Sequence, residues 1–152
     1  ELGAYCGYSA TRIARLLPEG ARLYSVEPNM KHLAYTTTIL DHCGLKNKVT
    51  MLGGILSEKI KYIKDVCGVH HFDLVFLDHI KDMYLSDFLL LEREGLITKG
   101  SVIVSDNALY PGCPEFLKFL QNNKDKYHSV AHDAMLEYDN NIKDQIWVTT
   151  IL

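Results

Sequence analysis

The stretch that most constrains the fold is Asp73-Leu74-Val75-Phe76-Leu77-Asp78-His79-Ile80-Lys81, four apolar residues followed at once by an acid, an imidazole and an amine. An unbroken apolar run of this length suits a strand covered by helices on both faces, as in a parallel sheet. In open α/β sheets ligands gather beyond the carboxyl ends of the strands, so chemistry is expected at Asp78. Ser101-Val102-Ile103-Val104-Ser105 closes in the same way, on Asp106-Asn107. As neighbours, two such strands end about 5 Å apart, and Asp78, Asp106 and Asn107 become three oxygen donors around one point. Carboxylate and amide oxygens without thiolate or clustered imidazole select a hard cation, Mg²⁺ or Ca²⁺, over zinc or copper. With three protein ligands, Mg²⁺ keeps open positions for water or substrate oxygens.

Around these two strands the chain reads as alternating elements. Glu1-Leu2-Gly3 is the tail of a strand, and Ala4 to Gly7 turns into a helix near Ser9 whose Ala10, Ile13, Ala14 and Leu17 repeat at helical period. A strand over Arg22–Val26 ends at Glu27. Asn29 caps a helix reaching Cys43, with Met30, Leu33, Leu40 and Cys43 expected inward and Gly44 as its stop. Val49–Leu52 is a third strand, and Leu56, Ile60, Ile63 and Cys67 line the next helix. After Asp78 comes a helix bearing Tyr84, Leu85, Phe88 and Leu89. After Asp106, Pro111-Gly112 turns the chain, and Pro114 opens a helix that buries Phe116, Leu117 and Leu120. His128–Leu136 and Gln145–Leu152 read as a closing antiparallel hairpin around the turn signal Asp139-Asn140-Asn141. The pattern predicts a doubly wound, mostly parallel α/β sheet of seven strands.

Composition narrows the function. The 152 residues, 47% hydrophobic and 23% charged, fit one domain over 1–152. Sixteen Lys and Arg against nineteen Asp and Glu give a net charge of -3 without a basic concentration, which argues against nucleic acid as partner. Cys6, Cys43, Cys67 and Cys113 have no paired metal-ligand spacing, so reduced thiols in a cytoplasmic setting are expected. No apolar run approaches the roughly 18 residues of a membrane span. Because the chain opens in mid-motif without Met, an amino-terminal segment, which could include a membrane anchor, is expected upstream.

The amino-terminal motif indicates the cofactor. Glu1-x-Gly3-x-x-x-Gly7 departs from the G-x-G-x-x-G dinucleotide fingerprint, whose glycines two apart admit a pyrophosphate. Gly3 still lets a ligand approach the backbone. Glu27, at the end of the next strand, can accept hydrogen bonds from two ribose hydroxyls. An adenosine without pyrophosphate, joined to a methionine-derived sulfonium, meets these requirements, and that is S-adenosylmethionine.

Taken together, Glu1-Leu2-Gly3-Ala4-Tyr5-Cys6-Gly7-Tyr8-Ser9-Ala10, Val75-Phe76-Leu77-Asp78-His79 with Lys81, Asp106-Asn107 with Pro111-Gly112, and Leu136-Glu137-Tyr138 resemble the catechol O-methyltransferase family in order and spacing, over the whole chain. The resemblance implies a methyl transfer from S-adenosylmethionine to one hydroxyl of a catechol held on Mg²⁺ by Asp78, Asp106 and Asn107. It implies Lys81 as general base and Glu137 as holder of the other hydroxyl. Cofactor contacts would come from Gly3, Tyr5 and Ser9 along the methionine part, from Glu27 on the ribose and from Gly54, Ser57 and His79 near the adenine, with Glu1, Gly7, Pro28 and Asp78 also at the cofactor and Pro111 walling the catechol slot. Lys81 can take a proton only when neutral, a form that a nearby cation and partial burial favour. Two positions depart from the family pattern: Ile80 stands where an aromatic residue is usual, and Leu56-Ser57 replaces a polar pair near the adenine. The family's amino-terminal helices would lie before residue 1. Two other readings stay open, a related enzyme with a larger phenolic acceptor and a catalytically silent binding or scaffold relative.

Overall fold

Alanines let the first helix sit close to its neighbours. Ala10 and Ala14 of α1 (Tyr8–Leu16) are fully buried and meet Leu40 and Val49 in a small core that also takes in Leu23, Leu45 and Met51. The computed structural model describes all residues, 1–152, and the chain forms two compact units, Glu1–Val66 and Cys67–Leu152.

In the first unit, β1 (Leu23–Glu27) pairs in parallel with β2 (Val49–Gly53) from Leu23 opposite Val49 to Glu27 opposite Gly53, and Leu2 makes a single parallel bridge to Val26. Between them runs α2 (Met30–His42), capped by the Asn29 side chain on the Lys31 and His32 amides, as its sequence position predicts. Its inward face differs from expectation. Thr36 and Leu40 are buried while Met30 and Cys43 are exposed, because only a narrow stripe of the helix is covered. The unit closes with α3 (Leu56–Lys61) and a wider turn over Tyr62–Val66, which bury Leu56, Ile60 and Ile63.

In the second unit, β3 (Leu74–Leu77) and β4 (Val102–Ser105) are parallel neighbours, as the metal argument requires. Helix α4 (Tyr84–Arg93) links them, and α5 (Pro114–Asn122) leads from β4 to the hairpin of β5 (Tyr127–Leu136) and β6 (Asp139–Ile151). β6 lies antiparallel between β4 and β5, giving the order β3-β4-β6-β5. Aromatic packing forms the core: Phe88 meets Phe116 at 5.4 Å and Tyr127 at 5.3 Å between ring centroids, and Tyr84 meets Phe116 at 6.0 Å.

Three expectations are revised. The strands group as a parallel pair with one bridging residue and a separate set of four, rather than one seven-stranded sheet. β3 is not buried along its length, since Leu74 is 48% exposed at the strand's start, so the apolar run overstates its cover. The hairpin turn is Glu137-Tyr138, closed by the Leu136–Asp139 pair, and Asp139-Asn140-Asn141 begins β6. The register shifts between Met135 and Leu136, so the extra residues of β6 bulge from the ladder and the turn forms earlier than its polar residues suggest.

Candidate active site

In the first unit the turn from Leu2 into α1 is held by one carboxylate. Glu27, at the end of β1 and only 5% exposed, accepts the Ala4 and Tyr5 amides on Oε2 at 3.2 and 2.9 Å and the Asn29 amide on Oε1 at 2.8 Å. A carboxylate offers about four acceptor positions, so at most about one remains for a ligand hydroxyl, on a carboxylate that His32 Nδ1 also faces at 3.6 Å. The clamp supports backbone that most residues avoid: Tyr5 has φ 45°, and Gly7 has φ 83° with Thr36 Cγ2 only 2.9 Å from where a Cβ would stand. Thr36 Oγ1 donates to the Tyr5 carbonyl at 2.8 Å. The Gly3 amide donates to Val26 O, and Gly54, on the loop after β2, donates its amide to Glu27 O. Glu1 is buried; one carboxylate oxygen accepts the Ser25 hydroxyl and the other is buried without a partner. Ser9 is half-buried in the first turn of α1, while Pro28 and Ser57 are exposed. The predicted cofactor residues Glu1, Gly3, Tyr5, Gly7 and Glu27 therefore share one hydrogen-bonded neighbourhood.

In the second unit the ends of β3 and β4 converge. The Asp106 amide donates to Leu77 O at 3.0 Å, which extends the ladder by one residue and sets Asp106 beside Asp78. Single carboxylate oxygens of Asp78, Asp106 and Glu137 lie within 4.8 Å of one another. Glu137 reaches this point as the first residue of the hairpin turn, just past the register shift. Its carboxyl is pushed up from the ordinary range by partial burial, by the Asp106 and Asp78 charges and by a hydrogen bond with Asp106. Three acids at this spacing repel one another, and a divalent cation offsets that repulsion; the donor set is all oxygen, as Mg²⁺ prefers.

Lys81 stands at the start of the short helical turn Lys81–Met83 before α4. Its Nζ donates to Asp78 Oδ1 at 2.9 Å and to Tyr84 Oη at 2.8 Å. The Tyr84 hydroxyl in turn donates to Leu77 O at 2.7 Å, with Asp106 O at 3.1 Å. Burial and the nearby Asp78 carboxylate raise the Tyr84 phenol far above its usual range, so it stays a neutral donor. His79 pairs its Nε2 with Asp87 Oδ2 at 3.0 Å and stacks on Tyr84, while its buried Nδ1 has no partner. Ile80 is 67% exposed.

Asn107 adopts the left-handed conformation, φ 52° and ψ 44°, and its side-chain amide donates to Asp144 Oδ2 at 3.0 Å. Asp144 Oδ1 accepts the amides of Leu109, Tyr110 and Gln145 at 3.0, 3.1 and 2.7 Å. Although burial opposes ionisation, these hydrogen bonds hold the Asp144 carboxyl below its usual range. Reasoning from sequence misses Asp144, Tyr84 and Asp87. The apolar pattern assigns the Tyr84 ring to the core, where it does pack, and nothing in the order of residues marks its hydroxyl. Asp144 lies in a polar run that reads as a loop.

The fold is shared with the O-methyltransferase from Bacillus cereus in complex with SAH, at a TM-score of 0.86 and 19% identity, over 99% of this chain and 72% of that one. A family model described as O-methyltransferase matches residues 1–150, and the chain belongs to that family. Its resemblance to catechol O-methyltransferases holds across 138 residues: it is 47% identical to the enzyme of Mus musculus and 46% identical to that of Bos taurus, covering 91% of this chain in each case. Those matches cover 52% and 50% of the two relatives, so the chain spans about half their length. No helix is long and apolar enough to cross a membrane.

Proposed function

We propose that this chain carries the catalytic machinery of an S-adenosylmethionine- and Mg²⁺-dependent catechol O-methyltransferase, with its two units working as one methyltransferase domain. The observation that carries the reading is the convergence of Asp78, Asp106 and Glu137 beside the Lys81 amine, in a chain 47% identical to a catechol O-methyltransferase. Asp78, Asp106 and Asn107 would hold Mg²⁺, which supplies, when bound, charge stabilisation for a phenolate. Lys81 Nζ then takes the proton of the reacting hydroxyl, and Glu137 accepts a hydrogen bond from its neighbour. Tyr84, neutral and buried, fixes the direction of the Lys81 amine. Methyl transfer from a sulfonium is an in-line displacement, so alignment of oxygen, methyl and sulfur carries much of the remaining acceleration.

On the cofactor side, the unpartnered Glu1 oxygen and the spare acceptor position on Glu27 suit the donors of S-adenosylmethionine. Gly3, Tyr5, Gly7 and Ser9 would follow its methionine part, Glu27 and Pro28 its ribose, and Gly54, Ser57, Asp78 and His79 the rest. Pro111 would wall the catechol slot. Four free cysteines fit a reducing, cytoplasmic setting. Exposed Ile80, Leu109 and Tyr110 favour a second reading in which the acceptor is a larger phenol.

The test is transfer of labelled methyl from S-adenosylmethionine to a panel of vicinal dihydroxyphenols, small and extended, with and without Mg²⁺. Turnover that needs Mg²⁺ and vanishes in Asp106→Ala supports the reading, and the panel separates the two acceptor classes. Cofactor binding with no turnover of any catechol leaves the silent binding relative.

A further inference from the structure

A side-chain amide has an oxygen at one end and an NH₂ at the other, and its neighbours decide which way it turns. At Asn107 that decision is made by Asp144. An ionised carboxylate only accepts hydrogen bonds, so Asp144 Oδ2, 3.0 Å from Asn107 Nδ2, fixes the NH₂ toward itself and turns the amide oxygen the opposite way. Asp144 is 4% exposed, and every hydrogen-bond partner of its carboxylate is an N–H group. The sheet register explains how it gets there. Ser105, the last residue of β4, pairs with Trp147 of β6. Asp144 lies three residues earlier on β6, roughly 10 Å farther along at about 3.4 Å per residue, and so overhangs the loop that leaves β4. There it also takes the Leu109 and Tyr110 amides on its other oxygen, pinning the loop that leads into Pro111.

We infer that Asp144 is a positioning residue for the metal site: it orients Asn107 so that the amide oxygen, and not the NH₂, is presented to the cation, and it holds the following loop with the same carboxylate. The inference rests on the Mg²⁺ reading of Asp78, Asp106 and Asn107. It has a specific chemical consequence. In Asp144→Asn the oxygen of the new amide goes to the three backbone amides, and its NH₂ faces Asn107. Asn107 must then flip to accept, which turns its own NH₂, a group that cannot ligate, toward the cation. Exchanging the two residues, Asn107→Asp with Asp144→Asn, restores the pairing: the amide introduced on β6 donates to one oxygen of the carboxylate introduced after β4 and leaves the other oxygen for the metal.

The test measures metal binding directly, using Mn²⁺ as probe. Loss of the electron paramagnetic resonance signal of free Mn²⁺ is followed for the wild type, Asp144→Asn, the exchanged double variant and Asp106→Ala, with folding checked by urea unfolding. The expected result is one Mn²⁺ site in the wild type, lost in Asp106→Ala, weakened roughly 10–100-fold in Asp144→Asn, the usual effect of removing a partner that orients a ligand, and largely regained in the double variant. Wild-type affinity in Asp144→Asn, or a double variant no tighter than Asp144→Asn, overturns the inference and leaves the metal reading standing. A wild type that binds no Mn²⁺ overturns both. If Asp144→Asn does not fold, the wild type itself decides. On titration with Mg²⁺ the Asn107 side-chain Cγ resonance must shift while its amide proton keeps the downfield position of a carboxylate hydrogen bond; a Cγ that does not respond overturns the inference.

Discussion

The two units solve the same problem with the same device and differ in how visible the device is. Glu27 in the first unit and Asp144 in the second are buried carboxylates, each gathering three backbone amides. Each braces a loop containing a left-handed residue other than glycine, Tyr5 at φ 45° and Asn107 at φ 52°. A strained loop persists only when its surroundings over-determine it, and a charge-assisted set of hydrogen bonds does so. Glu27 closes the strand it belongs to, so its position at a strand end marks it in the sequence. Asp144 acts from the flank of a different strand, 37 residues beyond the Asn107 it holds, and carries no such mark.

The largest expected effect concerns the ligands that the second brace serves. Asp106→Ala should reduce both Mn²⁺ affinity and methyl transfer by more than the roughly 10–100-fold typical of a residue that only orients a ligand; an effect smaller than that of Asp144→Asn, measured in the same titration, would reverse the hierarchy proposed for the two residues. The braces themselves come next. Glu27→Ala should leave the Ala4, Tyr5 and Asn29 amides without their acceptor, at about 1–3 kcal/mol for each that water does not reach. Glu27→Gln, which keeps a carbonyl acceptor, should lose less. Urea midpoints read both, and a Glu27→Gln loss as large as that of Glu27→Ala would show that the retained carbonyl acceptor contributes nothing to the turn without the charge.

A smaller change of opposite sign is expected at Glu137. Its carboxyl is raised by burial and by the Asp106 and Asp78 charges, so its ionised form is destabilising in the folded, metal-free chain at neutral pH. Glu137→Gln should therefore raise the metal-free melting temperature, but only slightly, because solvent around this exposed side chain screens the repulsion. The same substitution should reduce the stabilisation gained from added Mg²⁺, read by calorimetry in both conditions. The smallest effect is at alkaline pH. Burial pushes the Cys113 thiol up to about 11 from 9.0, with Lys81 opposing. Because the unfolded chain releases that proton first, stability should fall as pH rises from about 9 to about 11, and Cys113→Ser should flatten part of that slope in pH-dependent urea unfolding.

Much of the fold was legible because its signals are local. The Asn29 cap, the stop at Gly44 with φ 69° and Pro114 opening α5 all follow from residue chemistry, while the parallel pairing of β3 with β4, which the sequence leaves as a condition, is met in the structure. The inward face of α2 and the hairpin turn were not legible, since helix burial depends on how far the neighbouring strands reach and the turn depends on a register shift between Met135 and Leu136. At the candidate site, Asp78 and Asp106 could be read from strand ends, whereas the roles of Lys81 and Glu137 came from family resemblance. The structure brings its carboxylate within 4.8 Å of the two aspartates.

By itself the sequence determined which residue types stand at the strand ends, an all-oxygen donor set with an amine three residues along, because alternation, caps and breakers act over a few residues of chain. Only the tertiary structure decided how those groups are held. Tyr84 directs the Lys81 amine, Glu27 ties a turn 22 residues away at Tyr5, and Asp144 turns the Asn107 amide. Each depends on a hydrogen bond a few ångströms long between groups that sheet register and helix packing bring together, and a distance of that kind is a property of the folded chain, not of the order of its residues.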